Sequence, residues 1–577
     1  MAEAILSAGT FINENDVSFV QSAPVAVGAA FIGPTVKGPV EEPTIITSYG
    51  DYQRTFGDTF YSSSIKKEFL TSLAVKSYFQ QGGQTALITR VVSGSFTSAA
   101  NTQISASAKG STQPFTLATL GKGAIYNSSG SLRSDGSLAS GSSDNVRWEI
   151  SGVNNSSGVF SLTIRRGDDN HKSKIILETF SNLSLDPNSD RYVEYVIGNQ
   201  YKSKRTDGSS TFVDVFGEYP NKSKYVRVSA VNLPTPSYIL TDGSTVGTDS
   251  SGTSYSASLP IAGSGSFTGA TGNIVVGGDN YFSQISGSTT RSQGLTAGNY
   301  TDAITILGNS DEYRFKVITT PGLTYDGFST TLDSLVSLAE DRGDCIAVID
   351  LVGYKSTVSE VTAEAAGVNS SYAAAYWPWI QIPTSMGKNE FVPASTIIPG
   401  VYAFTERTKA PWFAPAGIVN GGIPNAIQPE RKLVRTERDT LQASNVNPIA
   451  NLPGVGVVVY GQKTLQKKAS ALDRVNVRNL LSELKAFVKN ISDGLAFEQN
   501  TINTRNRFLS QVRPYMESVV DRQGLYAFEV VMDDTLNTPD VVDRNQIIGK
   551  IRIQPTKTAE FIILDFTIDP TGTNFGA

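Results

Sequence analysis

Residues 456–465 have the sequence GVVVYGQKTL, which nearly matches the G-x-x-x-x-G-K-[ST] pattern of a nucleotide-binding P-loop. A P-loop needs a tight turn between its glycines and a helix directly after its Lys-Ser/Thr pair. Here three valines and a tyrosine occupy the turn, and these residues prefer extended backbone. Gln462 also separates Gly461 from Lys463, so the spacing fails. The segment is therefore predicted to be a buried strand that leads out to Lys463.

The sequence on either side of this strand predicts a mixed α/β core built from both ends of the chain. Residues 25–39 predict a strand that breaks at Gly33-Pro34, residues 43–57 predict a strand that runs into a short helix, and residues 85–94 predict a further strand. A helix is predicted over residues 64–83, capped at Ser64 and ended by two glycines. After residue 315 the same alternation of helix and buried strand returns.

The middle of the chain differs in composition and periodicity: Gly, Ser, Thr and Asn dominate, and the helical spacing of apolar residues almost disappears. Short alternating apolar runs bounded by turns predict antiparallel β-sandwich or barrel modules inserted into the core. The predicted fold class is thus α+β and multidomain. The predicted boundaries are an N-terminal arm (1–20), the first part of the core (21–94), the β-rich insertion (95–318, either one domain or two at about 95–205 and 206–318), the second part of the core (319–460), and a C-terminal domain of helices and strands (461–577).

The C-terminal region is predicted to hold two long amphipathic helices, at residues 470–495 and 505–522. Pro514 is expected to kink or restart the second helix. From residue 431 to 522 the chain has 15 Lys and Arg against eight Asp and Glu, an excess of seven positive charges in a chain of net charge −5. Such an excess indicates either ordinary solvated helix faces or a surface for an acidic partner.

Composition offers little support for catalysis or metal binding. The one cysteine, Cys345, lies in an apolar run and is predicted to be a buried thiol, and the one histidine, His171, lies in a polar turn. No catalytic, cofactor-binding or metal site is predicted. No apolar run reaches the ~18 residues that a membrane span needs, and the N-terminus lacks the pattern of a secretory signal, so membrane insertion is not expected.

Several motifs occur in the order found in one family. Residues 8–18 (AGTFINENDVS) are similar to a Pro-Gly-x-x-x-x-Glu-x-Asp-x-Ser start, with Ala8 in place of the usual Pro. Further matching blocks are AFIGPTVKGPVEEPTIITSYGDYQRTFGD (30–58), YFQQGGQTALITRVV (78–92), ETFSNLSLDPNSDRYVEYVI (178–197), TPGLTYDGFSTTLDSLVSLAEDRGDCIAVID (320–350), YAAAYWPWIQI (372–382) and VPASTIIPGVYAFTERTKAPWFAPAG (392–417). GQKTL resembles a Gly-x-Arg/Lys-Thr-Leu core element. The chain therefore resembles contractile phage tail sheath proteins of the myovirus type.

This resemblance implies a structural subunit without enzyme activity or cofactor. It implies stacked hexameric rings around an inner tail tube protein, with baseplate and tail terminator proteins as further partners. It implies neither direct nucleic-acid binding nor membrane insertion, and a place in the virion tail after assembly in the host cytoplasm. Whether the particle is a phage, a bacteriocin or another contractile injection machine stays open.

Isolated strands at both chain ends predict arms that pair with neighbouring subunits, while a hairpin folded back within one subunit is the alternative. The arm residues are Phe11, Ile12, Val17, Phe561, Ile563, Phe566 and Ile568. The tube-facing basic candidates are Lys463, Lys467, Lys468, Arg474 and Arg478. A β-rich receptor-binding protein or adhesin of a virion is the alternative function, and an NTPase motor is a third that the broken P-loop disfavours.

Overall fold

The computed structural model describes residues 26–62, 65–100, 112–127, 131–208, 210–239, 243, 246–274 and 291–560. The first elements are β1 (Ala26–Gly33), β2 (Thr44–Ile46), α1 (Tyr49–Phe56), β3 (Thr59–Ser62), β4 (Ile65–Glu68), α2 (Leu70–Gln80) and β5 (Ala86–Arg90). The next are β6 (Ser98–Ala100), β7 (Phe115–Lys122), β8 (Val146–Asn154), β9 (Val159–Arg166), β10 (Ile176–Ser184), α3 (Val193–Ile197), β11 (Tyr201–Asp207), β12 (Ser210–Phe216), β13 (Val226–Val231), β14 (Gly263–Ser266) and α4 (Thr301–Leu307). They are followed by β15 (Arg314–Thr324), α5 (Tyr325–Arg342), β16 (Ile346–Asp350), α6 (Val358–Ala365), β17 (Ala373–Trp377), β18 (Ile380–Pro383), β19 (Asn389–Val392), α7 (Ile398–Thr408), α8 (Gly417–Asn420), β20 (Gln428–Pro429), α9 (Arg435–Ala443), β21 (Asn447–Leu452) and β22 (Gly456–Val459). The last are α10 (Val475–Asp493), α11 (Ile502–Asp521), β23 (Leu525–Val531), α12 (Pro539–Asp543) and β24 (Lys550–Pro555).

One sheet joins strands from distant parts of the chain. Within the described residues it has eight strands, in the order β2-β5-β1-β15-β16-β17-β21-β22. The strands from β5 to β21 run parallel, and antiparallel β2 and β22 form the two edges. Because β1 lies between β5 and β15, residues 26–90 and residues 314–459 share this sheet. The mixed α/β architecture is confirmed, and the division of the chain into domains stays a prediction.

Helices cover both faces of the central sheet, and each face has its own hydrophobic core. On one face α4, α5, α6 and α9 pack on side chains that include Ile32 and Ile349. On the other face α1, α2 and α7 pack on side chains that include Phe31 and Ile88. Every residue of β5, β16 and β17 is buried, as expected for parallel strands covered on both sides.

The helix predicted over residues 64–83 begins later than its apolar spacing indicates. Residues 65–68 form β4, which pairs with β3, and the helix starts at Leu70. Phe69 occupies the N-cap position, so the predicted cap at Ser64 is wrong. Apolar residues four apart fit one continuous helix, and they fit a short strand followed by a helix equally well. Only the pairing with β3 distinguishes the two structures.

The middle region is rich in antiparallel strands, as its alternating runs predict. The described residues form a sheet of four strands (β10-β9-β8-β14), one of three (β13-β7-β6) and a ribbon (β11-β12). Trp148 and Phe160 of the first sheet share one hydrophobic cluster with Phe115 and Val226 of the second. The Phe115 and Phe160 rings stack with centroids 5.5 Å apart. The two sheets therefore pack on a single core.

The C-terminal helices and the β23-β24 ribbon enclose a smaller core, which includes Leu480, Leu484, Phe508, Val512, Met516 and Val530. α10 begins at Val475, after a short 3-10 turn, rather than at residue 470. α11 runs through Pro514 to Asp521, so the helix does not restart there. Val512 and Met516, on either side of the proline, pack into the same core and hold both halves in one helix.

Candidate functional site

The segment that follows β22 is part of the central fold. Val457, Val458 and Val459 are buried and pair with β21, so the predicted strand is confirmed. Beyond it, the Asn447 side chain accepts a hydrogen bond from the Lys463 backbone N at 2.5 Å and donates one to the Lys463 carbonyl at 2.7 Å. The backbone after β22 is therefore held against the start of β21.

Two side chains beside this segment hold the last described residues of the chain. The Gln462 side chain is buried, and its Nε2 donates to Thr558 Oγ1 at 2.5 Å and to Glu560 Oε1 at 3.1 Å. Arg474 forms a bidentate pair with Glu560, with Nε–Oε1 at 2.8 Å and Nη2–Oε2 at 2.9 Å. Paired contacts of this kind fix orientation as well as distance. We call Gln462, Arg474, Thr558 and Glu560 the C-terminal clasp.

Backbone hydrogen bonds connect the clasp to both neighbouring elements. Lys463 and Arg474 form an antiparallel bridge, and the Val475 N donates to the Gln462 carbonyl at 2.8 Å. The start of α10 is thereby attached to the segment after β22. The clasp thus joins three parts of the chain: the exit of the central sheet, the start of α10, and the segment that contains Thr558 and Glu560.

The five predicted basic candidates occupy different environments. Lys467 and Lys468 are exposed. Lys463 is half-buried, its Nζ donates to the Gln442 carbonyl at 2.8 Å, and burial, together with the charge of Arg474, lowers its pKa. The Arg474 guanidinium is paired with Glu560 in the clasp.

Arg478 does not lie on the surface. Its side chain is buried, and its guanidinium lies 3.8 Å from the centroid of the Tyr372 ring and donates to Ser371 Oγ at 2.7 Å. Contacts of this type hold α10 against the central sheet. Arg478 is therefore corrected from a tube-facing candidate to a packing residue.

The ribbon β23-β24 presents open backbone edges. Within the described residues it is a two-stranded sheet, and neither strand pairs with any other. Leu525 and Val530 anchor it to the core, while Tyr526 is 66% exposed and Ile551 is 37% exposed. Unpaired edges with exposed apolar side chains favour the addition of a further strand.

The one cysteine and the one histidine lie in different environments. Cys345 is fully buried, and burial raises the pKa of its thiol to about 12. His171 is exposed in a turn beside Asp135. No cluster of three or more His, Cys, Asp or Glu side chains able to hold a metal occurs in the ranges described. None of the helices in those ranges is both long and apolar enough to cross a lipid bilayer.

Two family models match the part of the chain that contains the clasp and the ribbon. The phage tail sheath protein central domain matches residues 293–465, and the phage tail sheath C-terminal domain matches residues 467–569. These residues belong to the phage tail sheath family. The clasp spans the boundary between its two domains, because Gln462 lies in the central domain and its partners lie in the C-terminal domain.

Curated tail sheath proteins are also similar to part of this chain. That of Vibrio phage KVP40 is 32% identical over 244 residues, which cover 41% of this chain and 36% of the relative. That of Enterobacteria phage T4 is 29% identical over 312 residues, which cover 50% of this chain and 47% of the relative. The matched part of the chain thus spans less than half the length of these tail sheath proteins.

A solved sheath structure has a similar fold over most of the chain. The sheath tail protein of Listeria innocua covers 92% of this chain and 96% of its own, with a TM-score of 0.51 and 10% sequence identity. At this identity the likeness concerns the fold alone. Because it covers 92% of the chain, it extends to residues before 293, which the sheath family models do not match.

Sequence reasoning missed most of the clasp. Gln462 drew attention only as the residue that breaks the P-loop spacing, and neither Thr558 nor Glu560 was a candidate. Gln462 and Glu560 are 98 residues apart, so no local spacing signals their contact. The predicted arm residues Phe11, Ile12, Val17, Phe561, Ile563, Phe566 and Ile568 lie outside the described residues.

Proposed function

We propose that this protein is the structural, non-enzymatic subunit of a contractile tail sheath. In this proposal it polymerises as stacked hexameric rings around an inner tail tube, and contraction drives the tube through the host envelope. The observation that supports it best is the C-terminal clasp beside the open β23-β24 ribbon, both inside the two sheath-family domains. In this proposal the segment that follows the clasp is the donor and the unpaired ribbon is the acceptor that strand addition between subunits requires.

The predicted arms are the donors in this mechanism. Residues 1–17 and 561–569 pair with the ribbons of neighbouring subunits, and the clasp sets the direction in which the second arm leaves its own subunit. Rings linked by strands can rotate and slide while the mesh stays connected. Such an assembly switches because the contracted state makes more favourable contacts than the extended one.

The remaining partners follow from the same proposal. Lys467 and Lys468, which are exposed, face the inner tail tube, and the β-rich region 95–318 faces outward, where loop variation is tolerated. Baseplate and tail terminator proteins contact the two ends of the stack. The subunit assembles in the host cytoplasm and resides in the virion tail, without direct contact to nucleic acid and without membrane insertion.

Deletion of residues 1–17 tests the strand-exchange mechanism. We expect a folded, soluble monomer that forms no tubes or ring stacks in negative-stain electron microscopy, because each ribbon loses one of its two donor arms. Full-length protein at the same concentration and salt is the control, and circular dichroism checks the fold. Ordinary tubes formed by the truncated chain would contradict strand exchange by this arm.

A further inference from the structure

A cleft opens between the central sheet and two helices. It lies at the amino ends of β1 and β15 and is bounded by α7 and α10, with a volume of about 130 Å³. Its apolar lining includes Tyr78, Phe315, Pro399, Tyr402 and Phe413. A cavity of this size takes one aromatic ring, since an apolar cavity of about 150 Å³ binds benzene.

The basic side chains at the rim of this cleft are already bound to neighbouring side chains. Lys316 forms ion pairs with Glu406 of α7 and with Glu483 of α10, the latter at 2.9 Å. Arg314 Nη1 donates to Asn490 Oδ1 of α10 at 2.6 Å. The rim therefore offers little to a charged ligand, and the apolar lining favours an uncharged, apolar occupant.

Strand β1 begins beside this cleft. Ala26 pairs with Arg314 and Val27 pairs with Phe315, and Gly28 lines the cleft together with Arg314 and Phe315. A Cβ at Gly28 would lie 2.1 Å from the Tyr78 hydroxyl oxygen, so only glycine lets the strand pass this side chain. The backbone at the start of β1 is therefore packed closely against the cleft.

The sequence of residues 18–25, SFVQSAPV, suits this place. It contains no charged residue, and Phe19 is its one aromatic residue. Pro24 keeps the residue before it extended, and an extended chain covers at most about 3.3–3.6 Å per residue. Phe19, seven positions before Ala26, can thus reach any part of the cleft.

We propose that residues 18–25 fold back into this cleft of their own chain, with Phe19 filling it. The root of the N-terminal arm is then fixed between the central sheet and α10. Residues 1–17 stay available for a partner, and the proposal holds whether or not they exchange between subunits. Movement of α10 relative to the sheet would change the direction of the arm.

Limited proteolysis of the unassembled full-length chain tests this placement. Chymotrypsin can cut after both Phe11 and Phe19, so the first cut is an internal reference. We expect cleavage after Phe19 to be at least about tenfold slower, because a packed segment must first open locally. Ala403→Phe, which fills the cleft from α7, should make the two rates equal.

Three results would overturn the proposal. The first is equal cleavage rates in the unsubstituted chain, and the second is slow cleavage after Phe19 that Ala403→Phe leaves unchanged. The third is protection that appears only as protein concentration rises, because a second copy would then supply the occupant. Since the measurement uses monomer, failure of sheath assembly does not affect it.

A second measurement covers the case in which Ala403→Phe fails to fold. Phe19→Ala should speed hydrogen exchange of the α10 amides in residues 479–490 by at least about tenfold, because it empties the cleft beside them. Phe11→Ala removes the same side chain outside residues 18–25 and should leave that exchange unchanged. Equal exchange in both variants would contradict the assignment of Phe19.

Discussion

Arg474 illustrates at the residue scale how a surface charge can serve the chain itself. By sequence it is one of several basic residues in a region with excess positive charge, but its guanidinium is occupied by Glu560 and Asp473. Only a quarter of its side chain is exposed. We therefore expect Arg474 to position the segment around Glu560 rather than to attract a partner.

Arg474→Ala tests that role. Partly exposed ion pairs contribute little, so the free energy of unfolding should fall by only about 1 kcal/mol. The protein concentration needed for tube formation should rise several-fold, because the second arm loses its fixed root. Urea unfolding and sedimentation of assembled tubes measure the two effects. Arg507→Ala, which removes the exposed pair with Glu498, is the matched control, and an equal effect on assembly would contradict the clasp.

Asp350 is a buried titratable group of the central sheet. It lies at the carboxyl end of β16, is almost fully buried, and accepts hydrogen bonds from the backbone N and the Oγ of Ser395. Burial raises its pKa to about 7, and the hydrogen bonds from Ser395 oppose that rise. The unfolded chain would ionise the same carboxyl near pH 4.

Stability should therefore fall as the pH rises from about 4 to 7. In that window the folded chain keeps a proton on Asp350 that the unfolded chain releases, and each unit of pKa difference corresponds to about 1.4 kcal/mol. Asp350→Asn should flatten this slope and raise the urea midpoint at pH 8. Burial also raises the pKa of Glu430 to about 7, so part of the slope should remain. Exposed Asp341→Asn is the control, and a slope unchanged by Asp350→Asn would refute the assignment.

At the scale of elements, the β23-β24 ribbon shows why a strand can be predicted while its partner cannot. Alternating apolar residues in 526–533 and 547–555 predict both strands. The apolar side chains on one face of the ribbon pack on α11, so their positions in the alternation are explained by this core. The exposed Tyr526 and Ile551 have no such role within the described chain, and strand addition by a neighbour would cover them.

Tyr526→Lys combined with Ile551→Lys tests this use of the ribbon. Charged side chains on strand edges discourage pairing, so assembly should be lost while the free energy of unfolding changes by only about 0.5 kcal/mol. Tyr61→Lys, on the separate β3-β4 ribbon and 74% exposed, is the control. Tubes formed normally by the double variant, seen by electron microscopy, would exclude the ribbon as the acceptor.

The predicted helix over residues 64–83 shows the limit of local patterns at the same scale. Its C-terminal part is the observed α2, a helix that is buried on nearly every side, since all residues from Leu70 to Val75 are buried. Its start was wrong, because residues 65–68 gain more by pairing with β3 than by helical hydrogen bonds. The spacing of apolar residues indicates which side chains are buried. The first residue of a helix depends instead on whether a neighbouring strand forms hydrogen bonds with the same backbone.

At the scale of the whole molecule, folding redistributes the basic residues that the sequence places together. Of the five candidates, Arg478 is buried, and Lys463 and Arg474 are half-buried and bound within the chain. Lys467 and Lys468 are exposed, and the Lys467 Nζ also donates to the Ala366 carbonyl at 2.6 Å. Any attraction of an acidic tube surface from this group must come mainly from the last two.

Charge reversal with Lys467→Glu and Lys468→Glu should therefore weaken co-sedimentation with purified tail tube. We expect a loss of about tenfold at low ionic strength and a smaller loss at high salt, because exposed charges are screened. Lys172→Glu with Lys224→Glu, two exposed positions in the β-rich region, is the control. Binding that both pairs reduce equally would indicate a general charge effect instead of a tube-facing surface.

The sequence by itself determined the mixed α/β core, the β-rich middle and the strand at 456–459, because these follow from local periodicity and from which residues tolerate extended backbone. It also showed the family resemblance, since the order of motifs along the chain can be recognised without knowing which residues are in contact. Only the tertiary structure decided that Gln462 meets Glu560 and that Arg478 lies beneath Tyr372. Residues about a hundred positions apart come together through the packing of whole elements, and no local pattern of spacing or charge records that packing.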